Sequence, residues 1–574
     1  MLLQTDRQTG YPSVDKPWLK YYSEETQNAP LPECTIYEYL VQNNRDYLSD
    51  IAILYLGRKI TYKELFDNID KTAAAFLKVG VKEKEIVTVA LPSIPEALYC
   101  VYALNKIGAV ANMIHPLAGK EETLNYLNEV KSKVAVIFDG AYDTIVKDID
   151  KSSVEKLIVA SPADSLPVTL KLAYKLKVKR PRFDGKRIIE WKKFIQEGRG
   201  ITARAVKKDC HEMAIISHTG GTTGMPKGCM LSDYSTNAIV RQLQIILPYE
   251  RQDVCLVVLP PFVNYSLVDS MIGMIDIGIT AALVPKYEPE KFPEYMRKIH
   301  PNHISSIPAY WEAIMDFEPT PKDDWACLKN AYYGGEAMSI ENEDAVNAIM
   351  RKVHSGATLC KGMGATELVS AATMTGDGYN APGSAGIPLV YVNCKVVNPE
   401  NGRELKYGEE GEICFSGASL MLGYYNNQEE TDNIIRIHDD GNRWLHTGDV
   451  GYIDTNGLIF ITGRIKRIIM TKGRDGQVTK MFPDRIEKVI YKHQAVELCC
   501  VIGVAVKERI NYPKAFIVLK DKSGTANVKN EILVICKQNL PEYMVPEEIE
   551  FVANLPRTER GKIDYRKLEN NDRK

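Results

Sequence analysis

The chain of 574 residues is 45% hydrophobic and 25% charged, with a formal net charge of -2. Such a length exceeds a single ordinary core, so at least two globular domains are expected. The balanced charge excludes bulk attraction to nucleic acid or to an anionic membrane. The start, Met1-Leu-Leu-Gln-Thr-Asp-Arg, lacks the apolar run of a secretory signal, and the proline-containing stretch 1–35 reads as an extension wrapped on the surface. Residues 61–79 are helical in pattern, 86–91 strand-like, 96–107 helical again and 134–138 strand-like. That alternation predicts parallel sheets covered by helices.

Between 171 and 193, lysines and arginines are interleaved with Leu172, Tyr174, Leu176, Phe183, Ile188 and Trp191. Pro181 and Asp184-Gly185 break the stretch into short pieces, so a solvated surface insertion is expected, with weak membrane-surface contact as the alternative. The apolar stretch 266–284 contains Asp269 and Asp276, costly in lipid and ordinary in a buried helix and strand, so no transmembrane span is predicted. After Arg464 the texture changes to a compact unit with elements at 486–491, 499–504, 515–519 and 531–538. The expected fold class is α/β, with a large domain of layered, helix-covered sheets over 36–464 and a small α+β domain over 465–574. The twelve cysteines are scattered, with no Cys-x-x-Cys pair and no zinc spacing, which fits reduced thiols in a cytoplasmic protein. Cys499 and Cys500, in an apolar strand-like run, read as packing residues.

The richest chemistry lies in Ser217-His-Thr-Gly-Gly-Thr-Thr-Gly-Met-Pro-Lys-Gly228, directly after the apolar run Met213-Ala-Ile-Ile216. Gly220, Gly221 and Gly224 let backbone N–H groups turn toward an anion, Thr219, Thr222 and Thr223 add neutral donors, and Lys227 supplies a mobile charge for a phosphate. A strand ending in such a loop points to a nucleoside triphosphate. Pro226 before the lysine and Gly228 after it depart from the Walker pattern, which disfavours a P-loop ATPase or kinase. The competing reading is a flexible glycine-rich turn, which so restrictive a string disfavours.

This string resembles the phosphate loop of the adenylate-forming superfamily, which includes acyl-CoA synthetases, luciferases and peptide-synthetase adenylation domains. The resemblance continues in order through Tyr333-Gly-Gly-Glu336, Gly362-Met-Gly-Ala-Thr-Glu367, His446-Thr-Gly-Asp449, Ile461-Thr-Gly-Arg-Ile-Lys466 and Leu555-Pro-Arg-Thr-Glu-Arg-Gly-Lys562. It implies that Gly334, Gly335 and Glu336 line the adenine slot with Met363 and Gly364, that Thr366 meets the α-phosphate, and that Glu367 holds Mg2+. Asp449 would accept hydrogen bonds from both ribose hydroxyls, and Arg464 would contact the same nucleotide. Lys562 would stabilise charge as a carboxylate attacks the α-phosphorus, although a lysine in such a tail is ordinarily just solvated. Lys466 occupies the hinge position, which makes the C-terminal domain mobile.

Three departures stand out. Met363 replaces a stacking aromatic residue, Asn264 stands where many acyl-CoA synthetases carry histidine, and the 473–483 loop is long. With Gly362, Asn264 is assigned to the acid substrate, while Lys472, Gly473 and Arg474 are candidates for contacts to coenzyme A. The implied reaction uses ATP, Mg2+ and coenzyme A to convert a carboxylic acid, expected to be fatty or otherwise apolar, through its acyl-adenylate to a thioester. An enzyme loading a separate carrier protein, and a degenerate nucleotide-binding protein, remain as alternatives.

Overall fold

The computed structural model describes residues 9–167, 170, 171, 174, 183–219, 226–286, 288–467, 469–472, 478–507, 510–520, 525–557 and 563–572. The helix expected over 61–79 runs Tyr62–Lys78. It starts there because Thr61 Oγ1 accepts from the Glu64 N–H at 3.2 Å while the Glu64 carboxylate accepts from the Thr61 N–H at 3.1 Å, so two otherwise orphaned donors are satisfied reciprocally. Its buried face carries Leu65, Ile69, Ala73 and Phe76. The strands expected near 86–91 and 134–138 are Ile86–Ala90 and Val134–Phe138, which lie side by side and parallel.

Among the described residues they belong to an eight-stranded sheet. Its spatial order is Gly423–Tyr424, Gly228–Ser232, Met213–His218, Val110–Met113, Ile86–Ala90, Val134–Phe138, Lys156–Ala160, Ile188–Glu190. A second sheet, of seven strands, runs Leu359–Gly362, Asn330–Gly334, His303–Ser306, Val254–Val257, Thr280–Leu283, Ile51–Tyr55, Arg58–Thr61. Helices cover these largely parallel sheets, so their strands read as continuous apolar runs. The stretch 266–284 is a helix followed by a strand, as expected, but Tyr265–Ile272 is wound as a π-helix before the short α-turn Gly273–Asp276. Apolar periodicity does not separate π from α winding over two turns, so this was not legible in the sequence.

The edge strand Ile188–Glu190 corrects the end of the stretch 171–193 that was read as a solvated insertion, whereas Phe183, Asp184 and Lys186 are exposed as that reading expected. Ile189 and Trp191 are buried, and Phe194 meets Phe76 ring to ring at 5.1 Å. Ile189 and Trp191 were core positions while Phe183 is exposed, and the interleaved charges obscured the short strand. Leu172, Leu176 and Pro181 lie outside the described residues. No helix among the described residues is long and apolar enough to cross a membrane.

A third, antiparallel sheet is built on the long strand Arg443–Ile453, which pairs with Gly411–Gly417, Ile435–Ile437 and Ile459–Arg464. The N-terminal segment docks beside it: Trp18 is fully buried and the Tyr22 hydroxyl donates to the Pro388 carbonyl at 2.8 Å. After Ile459–Arg464 the chain passes through a single tight turn, Ile465–Arg467, into the small domain. There Val496–Lys507 pairs with Ile510–Leu519, Glu548–Phe551 adds a parallel strand, and the helices Pro483–Ile490 and Thr525–Asn539 pack together beside this sheet. Cys499 and Cys500 are buried free thiols that join separate apolar clusters, as adjacent strand residues on opposite faces must.

Arg467 anchors the entry to this domain. Its guanidinium reaches Asp484 at 2.5 Å and Glu487 at 2.6 Å, and Glu487 also accepts from the Val501 N–H at 2.7 Å. Truncation would strand two carboxylates in a largely buried pocket, and breaking such a pair costs more than the pair itself contributes. Arg467→Met is therefore expected to destabilise the small domain by about 3 kcal/mol, read as an early separate transition in chemical denaturation.

Candidate active site

Thr219 and the Gly334–Gly362 pair lie where strands of the two largely parallel sheets end at their carboxyl edges, the usual place for ligands in α/β folds, whereas Asp449 and Arg464 lie on the antiparallel sheet. Strand Met213–His218 delivers Thr219, whose N–H donates to the Lys227 carbonyl at 2.9 Å while the Lys227 N–H donates to Thr219 Oγ1 at 3.3 Å. These two bonds join the residues that flank the glycine- and threonine-rich segment. Gly220, Gly221, Thr222, Thr223 and Gly224 lie outside the described residues. Asn330–Gly334 and Leu359–Gly362 end side by side with Gly334 opposite Gly362, and Gly335 turns away at φ +82°, a conformation that favours glycine. Glu336 follows it on the exposed rim.

Beyond Gly362 the Met363 N–H donates to Thr373 Oγ1 at 3.2 Å, and a side chain at Gly364 would stand 1.9 Å from the Ser370 carbonyl oxygen. Only glycine fits that close approach. Thr366 and Glu367 occupy one tight helical turn, Thr366–Leu368. It ends at Val369 with φ 63° and ψ -57°, where the Ser370 N–H donates to the Leu368 carbonyl at 2.7 Å. A β-branched residue at positive φ is strained, and surrounding contacts must hold it there.

Glu367 and Lys227 are linked through one side chain. The Tyr424 hydroxyl donates to Glu367 Oε1 at 2.6 Å, and Lys227 Nζ lies 5.0 Å from the Tyr424 ring centroid while pairing with the Glu430 carboxylate. Burial first, and the Glu367 charge second, hold the Tyr424 hydroxyl protonated well above its ordinary range. Among the described residues, Glu367 Oε2 accepts no hydrogen bond, so the half-buried carboxylate keeps an oxygen suited to a hard divalent cation such as Mg2+.

Asp449 and Arg464 sit opposite each other on paired strands, with Arg464 Nε 2.7 Å from the Asp449 carboxylate. The turn before Asp449 is braced from below. Glu412 accepts from the Gly448 N–H at 3.0 Å and bonds His446 Nδ1 at 2.8 Å, while His446 Nε2 meets His438 Nε2 at 3.0 Å. Asn264, buried, accepts a hydrogen bond from the Ser217 hydroxyl, and its Nδ2 has no partner among the described residues. Lys466 lies in the turn Ile465–Arg467 and Lys472 ends the strand Ile469–Lys472, whereas Gly473, Arg474 and Lys562 fall outside the described residues.

Sequence reasoning missed Tyr424 and Glu430. Their signal was the Gly423-Tyr424-Tyr425 run ahead of an acidic helix start, which looks like ordinary strand and cap.

The fold and these residues define a nucleotide-binding α/β enzyme with a large and a small domain. The family model for AMP-binding enzymes matches residues 40–425, and that for the AMP-binding enzyme C-terminal domain matches 485–562. The chain belongs to the AMP-binding enzyme family. It is 29% identical over 563 residues to the long-chain-fatty-acid–CoA ligase of Bacillus subtilis (strain 168), covering 96% of this chain and 97% of that one. Similarity to the probable 4-coumarate–CoA ligase 1 of Dictyostelium discoideum is 29% over 557 residues, covering 95% and 96%. The fold matches that of the anthranilate CoA ligase AuaEII bound to anthranoyl-AMP, with a TM-score of 0.79 at 21% identity over 95% of this chain and 98% of that one. The expected resemblance to acyl-CoA synthetases thus holds along nearly the whole chain.

Tyr424→Phe keeps the ring beneath Lys227 and removes the hydrogen bond to Glu367. A bond to a charged group contributes about 1.5–3 kcal/mol, so pyrophosphate release is expected to fall about tenfold or more. A rate unchanged from wild type would show that Tyr424 does not position Glu367.

Proposed function

We propose that the enzyme is an AMP-forming acid–thiol ligase that activates a carboxylic acid and transfers its acyl group to coenzyme A. The observation that carries this reading is the Glu367–Tyr424–Lys227 chain, in which one phenol bonds the Glu367 carboxylate through its hydroxyl and meets the Lys227 ammonium over its ring. Similarity to relatives named as CoA ligases supports the same reading.

In this mechanism Lys227 exchanges Glu430 for the β- and γ-phosphates of ATP, together with donors of the preceding loop. Mg2+, when bound, neutralises phosphate charge, and Glu367 would hold it. Asp449 takes the ribose hydroxyls with Arg464 beside it, the backbone at Gly334, Gly335 and Glu336 borders the base, and Thr366 donates to the α-phosphate. The unpartnered Asn264 Nδ2 is a neutral donor for the acid, and it orients a carboxylate without titrating. A carboxylate oxygen then bonds to the α-phosphorus as the bond to the β-phosphate breaks and pyrophosphate leaves, with Lys562 countering the growing charge. Rotation at Lys466 withdraws Lys562 and brings Lys472, Gly473 and Arg474 toward the coenzyme A phosphates. The thiol sulfur bonds to the acyl carbon, AMP leaves, and the thiol proton passes to solvent. Activation is needed because a carboxylate resists nucleophiles, whereas its anhydride with AMP has a good leaving group.

Lys562→Ala is expected to slow acyl-adenylate formation a hundredfold or more, about 3 kcal/mol of transition-state stabilisation, and to spare thioester formation from preformed acyl-adenylate. Equal loss in both half-reactions would contradict its role. Asp449→Ala should raise the ATP KM strongly, because two hydroxyl contacts vanish together. The acceptor is tested by pyrophosphate release and thioester formation with purified coenzyme A against a pantetheinylated carrier protein. Adenylation with transfer only to the carrier would overturn the coenzyme A assignment.

A further inference from the structure

The π-helix Tyr265–Ile272 touches three of the landmarks at once. At its start Asn264 meets Ser217 on the strand that feeds the phosphate loop, and the Tyr265 ring lies against Gly334. One turn further on, Asp269 accepts a 2.5 Å hydrogen bond from Ser370, the residue that closes the strained turn after Thr366 and Glu367. Because the winding is i to i+5, Asn264 and Asp269 stand on the same face.

Both residues are only 4% exposed, and each keeps a polar atom with no partner among the described residues, Asn264 Nδ2 and Asp269 Oδ1. Asp269 makes no ion pair among the described residues, and the titratable groups acting with it, the buried Cys255 and the partly buried Tyr249 and Tyr265, are each held neutral by desolvation. Burial pushes the Asp269 carboxyl up to about 7, against a smaller lowering by Ser370. An apolar acyl chain beside such a group would bury it half-satisfied, at a cost of about 1–3 kcal/mol. Glu96 and Asp276 are also half-satisfied buried acids, but neither is bonded to a site motif. Asp269 alone among these three is tied to the nucleotide-side turn and shares a face with Asn264, the donor assigned to the substrate carboxylate.

We propose that Asp269 is a specificity-determining residue of the acid pocket, its free oxygen accepting a hydrogen bond from a hydroxyl or amino group carried on the substrate acid. The preferred acids then bear a hydrogen-bond donor away from the carboxylate, rather than a plain alkyl or aryl body. This rests on the acyl-adenylate reading above and narrows its substrate class. A site built to bond a donor rejects the analogue that lacks it, because its own buried acceptor is then left unpaired.

The test uses non-hydrolysable acyl-sulfamoyl adenosines in two matched pairs, 4-hydroxycinnamoyl with cinnamoyl and 12-hydroxydodecanoyl with dodecanoyl, titrated calorimetrically into the full chain. Wild type is expected to bind the hydroxylated member of at least one pair about tenfold tighter or more. Asp269→Leu should reverse that preference, while Ser370→Ala, which removes only the bond to the turn, should retain it. The same ratio in wild type and Asp269→Leu, loss of the preference in Ser370→Ala, or wild-type preference for the plain member of both pairs would each overturn the proposal. The wild-type ratios decide by themselves if the leucine variant does not fold. Failure of all four compounds to bind would instead sink the acyl-adenylate reading, and this inference with it.

Discussion

One hydrogen bond holds the site's two halves in register. Tyr424 belongs to a short strand that pairs with Gly228–Ser232 at the edge of the eight-stranded sheet, whereas Glu367 follows the last strand of the seven-stranded sheet. The 2.6 Å bond from phenol to carboxylate therefore joins sheets that share no strand, and a backbone bond from the Met421 N–H to the Glu367 carbonyl at 2.9 Å reinforces it. In a partly buried setting a bond to a charged acceptor is strong and costly to leave unmade. Lys227 sits over the same ring, so a shift of either sheet would be felt by all three groups.

Two further bonds tie the same region to the π-helix between the sheets, one from Ser217 to Asn264 and one from Ser370 to Asp269. They explain how a turn with a valine at positive φ persists. The strained residue lies between Glu367, held by Tyr424, and Ser370, held by Asp269, so its conformation is imposed from both ends. A π-turn widens a helix by one residue, which brings Asn264 and Asp269 onto one face where an α-helix would separate them. Two buried polar atoms, Asn264 Nδ2 and Asp269 Oδ1, are thus left without partners among the described residues.

The small domain obeys a different constraint. Its connection to the large domain is one short turn after Ile459–Arg464, and Arg467 binds the far side of that turn to Asp484 and Glu487. Motion about this connection would have its pivot before Arg467, because the guanidinium and its two carboxylates move with the small domain. A contact from the Lys488 ammonium to the Ile461 carbonyl at 2.9 Å crosses between the domains, and a single exposed bond of this kind resists rotation weakly.

Much of this was legible in the chain itself. Apolar periodicity placed the helix at Tyr62–Lys78 and the strands at Ile86–Ala90 and Val134–Phe138, because those patterns are set by which face is buried. Local chemistry also singled out Lys227 in its glycine- and threonine-rich segment, while Glu367, Asp449 and Arg464 were singled out by the ordered motifs that resemble the adenylate-forming superfamily. Charge interleaving hid the edge strand Ile188–Glu190 and the buried Trp191, and nothing local distinguished Tyr424 from a routine strand residue. Which side chains meet across long separations was decided only by the tertiary structure: Tyr424 with Glu367, Ser370 with Asp269, Arg464 with Asp449. The reason is physical. Periodicity and turn chemistry are properties of neighbours along the chain, whereas these contacts depend on how the sheets stack and on one extra residue in a helical turn.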